Sequence, residues 1–328
     1  MGIIDLHCDT LWAIEKKLKQ GETASLLKND LAVDLEKLIN GNVMAQCFAL
    51  FNIPQETQPL NAGLRMIKCL QDACEKTDKL KIVKKFSDFE SNAKNGVVSA
   101  IITVEDGFIF ENDLKNVDLL YDLGLKMVCL NHNVKNGIGN PNYGKYVDGR
   151  PDWVTRNTTT GLTEFGFELV KKLNDLGIVI DLSHMSDAGF YDVIKASNKP
   201  IVASHSNAVG VCASLRNLTD DMLYKLTDNG GVTGICYANG FLCKDKEEGK
   251  KTLEYALKHI DYIKNLVGVD TIAIGSDFDG IPPEIDFKDC SYHNLLVEAL
   301  DKKGYTTTEI EKITHLNALR VFKANMKD

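Results

Sequence analysis

The chain has 328 residues, 44% apolar and 26% charged, which is enough for one large core or for two domains of about 150 residues each. Its formal charge of -8 excludes the basic surface that binders of polyanions use, so no nucleic acid partner is expected. Nine cysteines lack any CxxC pair, and Cys47, Cys129 and Cys236 lie inside apolar runs, so they read as reduced core thiols. Residues 1–6 do not spell a signal peptide, and no apolar run approaches the roughly 20 residues of a membrane span, so a cytoplasmic protein without a membrane partner is expected.

In chain order, eight short apolar, β-branched runs occupy 3–6, 43–50, 98–104, 126–130, 178–182, 201–204, 231–236 and 271–275. Most are continuously apolar rather than alternating, as in parallel strands covered by helices on their outer face. The clearest helix pattern is 162–176, where Leu162, Phe165, Leu169, Leu173 and Leu176 share a face, Thr163 caps the start and Gly177 follows the end. Asp220 and Asp221 open another helix, which Gly230 and Gly231 end. Thr306 to Glu309 spells a capping box, and 316–326 forms a last helix that packs Leu319 and Phe322. This rhythm predicts a TIM (β/α)8 barrel with additional C-terminal helices, one domain over 1–328, with a doubly wound open sheet as the alternative. No glycine-rich phosphate loop follows any strand. The stretch 131–161, containing Tyr143, Tyr146 and Trp153, is a long irregular insertion of the kind that often carries function.

Metal-ligand residue types stand at the C-terminal ends of five of these strands, the face on which barrels place their chemistry. His7 and Asp9 follow the first strand two residues apart, so a continued extended chain aims both at one cation. Asp9 is equally placed to cap a helix starting at Thr10. Glu105 directly follows an apolar run, where it is either an exposed loop acid or a buried carboxylate in need of a cation. His184 and His205 close two successive strands, and neutral imidazole is a common ligand of Zn²⁺. Asp277, with Asp279 two residues on, ends the eighth strand, where a carboxylate next to a metal site shuttles a proton. His132 follows the fourth strand, either as a structural histidine or as part of the same face. Arg216 is either a surface cation or a fork for a substrate carboxylate. His259, His293 and His315 fall within predicted helices and read as structural.

Five segments together carry a resemblance: DLHCDTLW, VEDG around Glu105, GLTEFGFELVKKLNDLGIVIDLSHMS, HSNAVGVCASLRNLTDDML and GSDFDGIP. The chain resembles the membrane (renal) dipeptidase family, peptidase family M19, among the amidohydrolase-like barrel enzymes. The resemblance implies a small dipeptide substrate and two Zn²⁺ per chain, one on His7 and Asp9 and one on His184 and His205. Glu105 bridges the two, and a hydroxide shared by the cations is the nucleophile. It further implies that Asp277 manages the proton, that His132 stabilises the oxyanion, that Arg216 receives the substrate carboxylate, and that the protein is a homodimer. Other divalent transition metals suit the same donors. The glutamate bridge, where many amidohydrolases use a carboxylated lysine, favours the dipeptidase branch. The chain departs from the better-known, lipid-anchored members in lacking a leader and an apolar tail, so the sequons at Asn157 and Asn217 read as chance matches. Asn239, Gly240 and Phe241 replace a segment that carries a tyrosine in animal relatives. Three readings stay open beside the dipeptidase: a binuclear enzyme for another amide, lactone or N-acyl amino acid, a mononuclear deaminase-like enzyme, and a non-catalytic peptide-binding barrel.

Overall fold

The computed structural model describes residues 2–147, 150–152 and 154–327, so Trp153 lies outside the described residues. The eight apolar runs form eight strands: β1 Ile3–Cys8, β2 Val43–Phe51, β3 Val98–Glu105, β4 Leu125–Cys129, β5 Val179–Asp181, β6 Val202–Ala203, β7 Val232–Ile235 and β8 Ile272–Ile274. Each pairs in parallel with the next, and β8 pairs in parallel with β1, Asp5 opposite Ile274. That last pairing closes the sheet into a TIM barrel and removes the open-sheet alternative.

Helices cover the outer face because each carries an apolar stripe between its strands. The helix Glu164–Leu176 starts where Thr163 accepts a hydrogen bond from the Gly166 N–H and stops at Gly177, whose φ of 78° lies in the left-handed region. Leu169 and Leu173 are fully buried beneath it. The predicted capping box forms between Thr306 and Glu309. From there the chain runs through Thr307–Glu311, a wider π turn at Lys312–Leu316, and the helix Asn317–Asn325. Val321 and Phe322 of that last helix join one cluster with Ile4, Ala45, Ile101 and Val232 from inside the barrel. The C-terminal helix therefore plugs the end of the barrel away from the strand C-termini, leaving only the other mouth open.

Two elements were not legible as strands. Leu80–Ile82 pairs with the first half of β3, while β4 pairs with the second half. Its three residues include exposed Lys81 and give no apolar run. A short antiparallel pair, Tyr146–Val147 with Arg150–Pro151, lies inside the insertion. The insertion is tied to the barrel mouth: Asn142 N–H donates to the His184 carbonyl at 3.0 Å, and Arg156 makes a two-pronged contact with Asp187 at 2.7 and 2.8 Å. Asn157 and Asn217 are buried and donate to the backbone carbonyls of Pro141 and Cys212, so in the folded chain neither amide is available for glycosylation.

The first and last strands are stitched by side chains as well as by the backbone. Asp5 accepts from the Ser276 N–H at 2.8 Å and the Ser276 hydroxyl at 2.5 Å. Asp279 accepts from the Thr10 hydroxyl at 2.6 Å and the Ala32 N–H at 2.8 Å. Asp279 is thereby a structural clamp, whereas Asp277 faces the mouth.

Candidate metal centre

The two-residue period of β3 puts Ile101 inside the barrel and Glu105, its last residue, inside the mouth. In β1 the register with β2 shifts between Asp5 and Cys8, and this irregularity turns His7 toward Glu105. His7 Nε2 lies 3.4 Å from Asp9 Oδ2, 3.5 Å from Glu105 Oε2 and 3.8 Å from Asp277 Oδ1. The extended run expected through Asp9 ends one residue early, at φ −102° and ψ 19°, yet the two side chains still converge. Asp9 does not cap the helix Thr10–Lys19 with its side chain, which removes the capping reading. Among the described residues neither nitrogen of His7 nor Oδ1 of Asp9 has a hydrogen-bond partner, although all are buried.

Glu105 Oε1 points the other way, 3.1 Å from His184 Nε2 and 3.5 Å from His205 Nε2. His184 and His205 sit just past β5 and β6 with their Nε2 atoms 2.9 Å apart. The far nitrogen of each ring is anchored: His184 Nδ1 to Asn133 Oδ1 at 2.9 Å, and His205 Nδ1 to Ser204 Oγ at 2.7 Å. An amide oxygen can only accept, so His184 carries its proton on Nδ1 and aims a lone pair at the centre. Two imidazole nitrogens this close, beside a carboxylate oxygen and a set of orphaned polar atoms, are a costly arrangement for a buried site unless an electrophile joins them. The donor set of imidazole and carboxylate fits divalent cations such as zinc.

The electrostatics agree. Burial pushes the Glu105 carboxyl up to about 8, with the Asp9 carboxylate adding to the rise and His7 opposing it. Burial likewise lifts Asp277 to about 6, against the pull of His7. Burial lowers His132 to about 3 and holds His184 and His205 well below the usual histidine range. His7 goes the opposite way: burial disfavours its charge, but the Glu105 and Asp9 carboxylates keep its pKa well above the ordinary value. Three buried carboxylates and three imidazoles thus crowd one site, where a bound cation would favour the ionised carboxylates.

Above this cluster opens a cavity of about 650 Å³, lined among others by Trp12, Phe51, His132, Arg216 and Phe241. Asp277 lies in the left-handed region at φ 65°. Its Oδ2 accepts a hydrogen bond from the Cys236 thiol at 3.5 Å, and its Oδ1 turns to His7. Gly280 passes so close that a Cβ there collides with the carboxylates of Asp9 and Asp277. His132 packs against Phe51 and His184, with ring centroids at 4.8 and 4.4 Å. Arg216 is no surface cation: it is buried, donates to the Ser183 and His205 carbonyls, and its guanidinium carbon lies 5.3 Å from the centre of the Phe241 ring. Its Nε has no partner among the described residues. All eight site positions predicted from sequence thus surround one mouth. Of the three remaining histidines, His259 holds the Leu242 carbonyl and the Ala208 N–H, His293 bonds Tyr237, and His315 bonds Thr314. Sequence reasoning missed Asn133, Asp181, Ser204 and Cys236. The one available signal was the Ser-His pair repeated at two strand ends.

Comparison with known proteins matches residues 1–327 to the membrane dipeptidase family, peptidase family M19. A Klebsiella pneumoniae protein known only by its position in the pqqA 5′ region is 33% identical over 246 residues, 75% of this chain and 89% of that one. An uncharacterised dipeptidase of Schizosaccharomyces pombe is 28% identical over 98% of this chain and 80% of its own length. Among solved structures, a metallopeptidase of Rhodobacter sphaeroides, crystallised with a phosphinate mimic of L-Ala-D-Ala, superposes with a TM-score of 0.89 and 27% identity over 99% of both chains. The chain belongs to the membrane dipeptidase family.

Proposed function

We propose that this family member is a metallo-dipeptidase that hydrolyses the peptide bond of small dipeptides with a free C-terminal carboxylate, using two divalent cations, in the first instance Zn²⁺. His7 and Asp9 would hold one cation and His184 and His205 the other, with Glu105 shared between them. When bound, the cations supply the positive charge that lowers the pKa of a water and polarises the scissile carbonyl. The observation that carries this reading is the convergence of His7, His184 and His205 on opposite oxygens of one buried glutamate.

The chain's own groups do the rest. Asp277, raised to about 6, is matched to taking a proton from the attacking water near neutral pH and returning it to the leaving amine. Its Oδ2 is occupied by the Cys236 thiol, which leaves Oδ1 for that exchange. His132 stays neutral because burial lowers its pKa to about 3, so it keeps an N–H to donate to the developing oxyanion. Arg216 supplies the charge for the substrate carboxylate, and its Nε–H, without a partner among the described residues, is the donor proposed to receive it. Phe51, Trp12 and Phe241 give the cavity apolar walls that exclude bulk water from the reacting bond. Nine unpaired thiols suit a reducing compartment, and a cytoplasmic homodimer is part of the proposal. The test is a panel of L,L- and L,D-dipeptides given to the metal-replete protein, with and without chelator. Chelator-sensitive release of free amino acids is expected, and no hydrolysis of any member of the panel sinks the reading.

A further inference from the structure

Two Ser-His pairs, Ser183-His184 after β5 and Ser204-His205 after β6, converge on the one carboxylate of Asp181 at the end of β5. Asp181 Oδ1 accepts three hydrogen bonds: from the Ser183 N–H at 3.0 Å, the Ser183 hydroxyl at 2.7 Å and the Ser204 N–H at 2.8 Å. Oδ2 accepts one, a short bond from the Ser204 hydroxyl. Asp181, Ser183, Ser204 and His205 are all buried, so water does not compete for these groups.

The Ser204 hydroxyl has a single proton, committed to Asp181, yet its oxygen lies 2.7 Å from His205 Nδ1. That contact is attractive only when His205 carries its proton on Nδ1. Ser183 offers no substitute, since its proton goes to Asp181 Oδ1 while its oxygen accepts from the His205 N–H at 3.1 Å. With Nδ1 protonated, Nε2 of His205 is a bare lone pair facing Glu105.

We propose that Asp181 and Ser204 are positioning residues that act in series to lock His205 in the Nδ1–H tautomer. The role in cation binding rests on the reading of His205 as a ligand; the tautomer does not. An amide cannot replace the carboxylate in this role. In Asp181→Asn the oxygen stays at the Oδ1 position, where three donors meet it, so the NH₂ group falls opposite Ser204 Oγ. The Ser204 hydroxyl then receives a hydrogen bond from that amide, and its own proton is freed for His205 Nδ1 at 2.7 Å, which is nearer than the Ser183 hydroxyl at 3.1 Å. His205 must move its proton to Nε2, where it blocks the lone pair, although side-chain shape is unchanged.

The experiment uses the full chain, metal-free and labelled with ¹⁵N-histidine, whose ring-nitrogen shifts distinguish the tautomers; His205→Gln identifies the signals. The wild type is expected to show His205 as Nδ1–H, and Asp181→Asn is expected to show Nε2–H. Zn²⁺ affinity, read by competition with a chromophoric chelator, is expected to fall about 10–100-fold in Asp181→Asn. Ser204→Ala is expected to give a mixture of tautomers and an intermediate affinity, and Ser204→Thr, which keeps the hydroxyl, to restore both. An unchanged Nδ1–H signal in Asp181→Asn overturns the proposal, and should that variant fail to fold, the same result in Ser204→Ala does so. A wild type with the expected tautomer that takes up no Zn²⁺ refutes the metal reading and leaves the positioning role standing.

Discussion

On the β5–β6 side of the mouth each imidazole nitrogen turned away from the centre has a hydrogen-bond partner, Asn133 for His184 and Ser204 for His205. On the β1 side, among the described residues, neither nitrogen of His7 has one, and its ring is held by packing at 4.0 Å from the His205 ring and by the surrounding carboxylates. One side is organised by directional bonds that exist before any ion arrives. The other is organised by charge, and its geometry becomes defined when that charge is balanced. The difference teaches that the two halves of one site need not be equally preorganised; under the proposed two-cation reading, the His184–His205 side is expected to fill first.

The most severe way to break this asymmetry is to remove what both sides share. Glu105→Ala is expected to lose both cations by elemental analysis and to drop kcat/KM on the order of 10³-fold or more. Asp277→Asn is expected to cost about 10²–10⁴-fold in kcat with less loss of cation content than Glu105→Ala, because its proposed role is proton transfer. Arg216→Lys keeps the charge but loses the planar fork, so KM for dipeptides is expected to rise about 10–100-fold, and kcat to fall as well because the lost nitrogens hold the backbone at Ser183 and His205. The comparison itself is sharpened by titrating Zn²⁺ into the metal-free protein. Two unequal affinities, differing by about 10-fold or more, are expected, with His184→Gln abolishing the tighter and His7→Gln the weaker. Equal affinities, or the reverse assignment, break it.

The smallest effect is a proton count. Glu105, raised to about 8 without a cation, is protonated at pH 7, and a cation needs the carboxylate. Zn²⁺ uptake at pH 7 is therefore expected to release protons from Glu105 and from His7, whose pKa the neighbouring carboxylates hold well above the usual value, and affinity to rise with pH through about 8 and beyond. Calorimetry in buffers of different ionisation enthalpy measures that release.

Much of this centre was legible because it lies where short-range pattern meets position. β1, β3 and β8 announce themselves as mostly apolar runs, and a ligand-type residue at the end of such a run stands out, as His7, Glu105 and Asp277 do. Strand ends were less legible: β6 keeps only Val202–Ala203 in the sheet, because Ser204 turns away to bond Asp181. Asn133, Asp181 and Cys236 left no trace, since their partners come from other strands and depend on side-chain direction, which no local spacing encodes. Arg216 shows the same limit. Its place at the site was readable, but not that two of its nitrogens hold the backbone carrying Ser183 and His205.

The seam between β1 and β8 also governs timing. Thr10 and Asp279 are 269 positions apart, and Asp5 and Ser276 are 271, so the start of the chain waits for the last strand to complete these bonds. At about 5–20 residues per second that wait is on the order of 10–60 s. Throughout it β1 can pair with β2 on one edge only, and Asp5 and His7 are polar groups on a strand whose other edge is open. In the proposed reading, a centre that needs ligands from both ends of the chain can be completed only once the ring has closed.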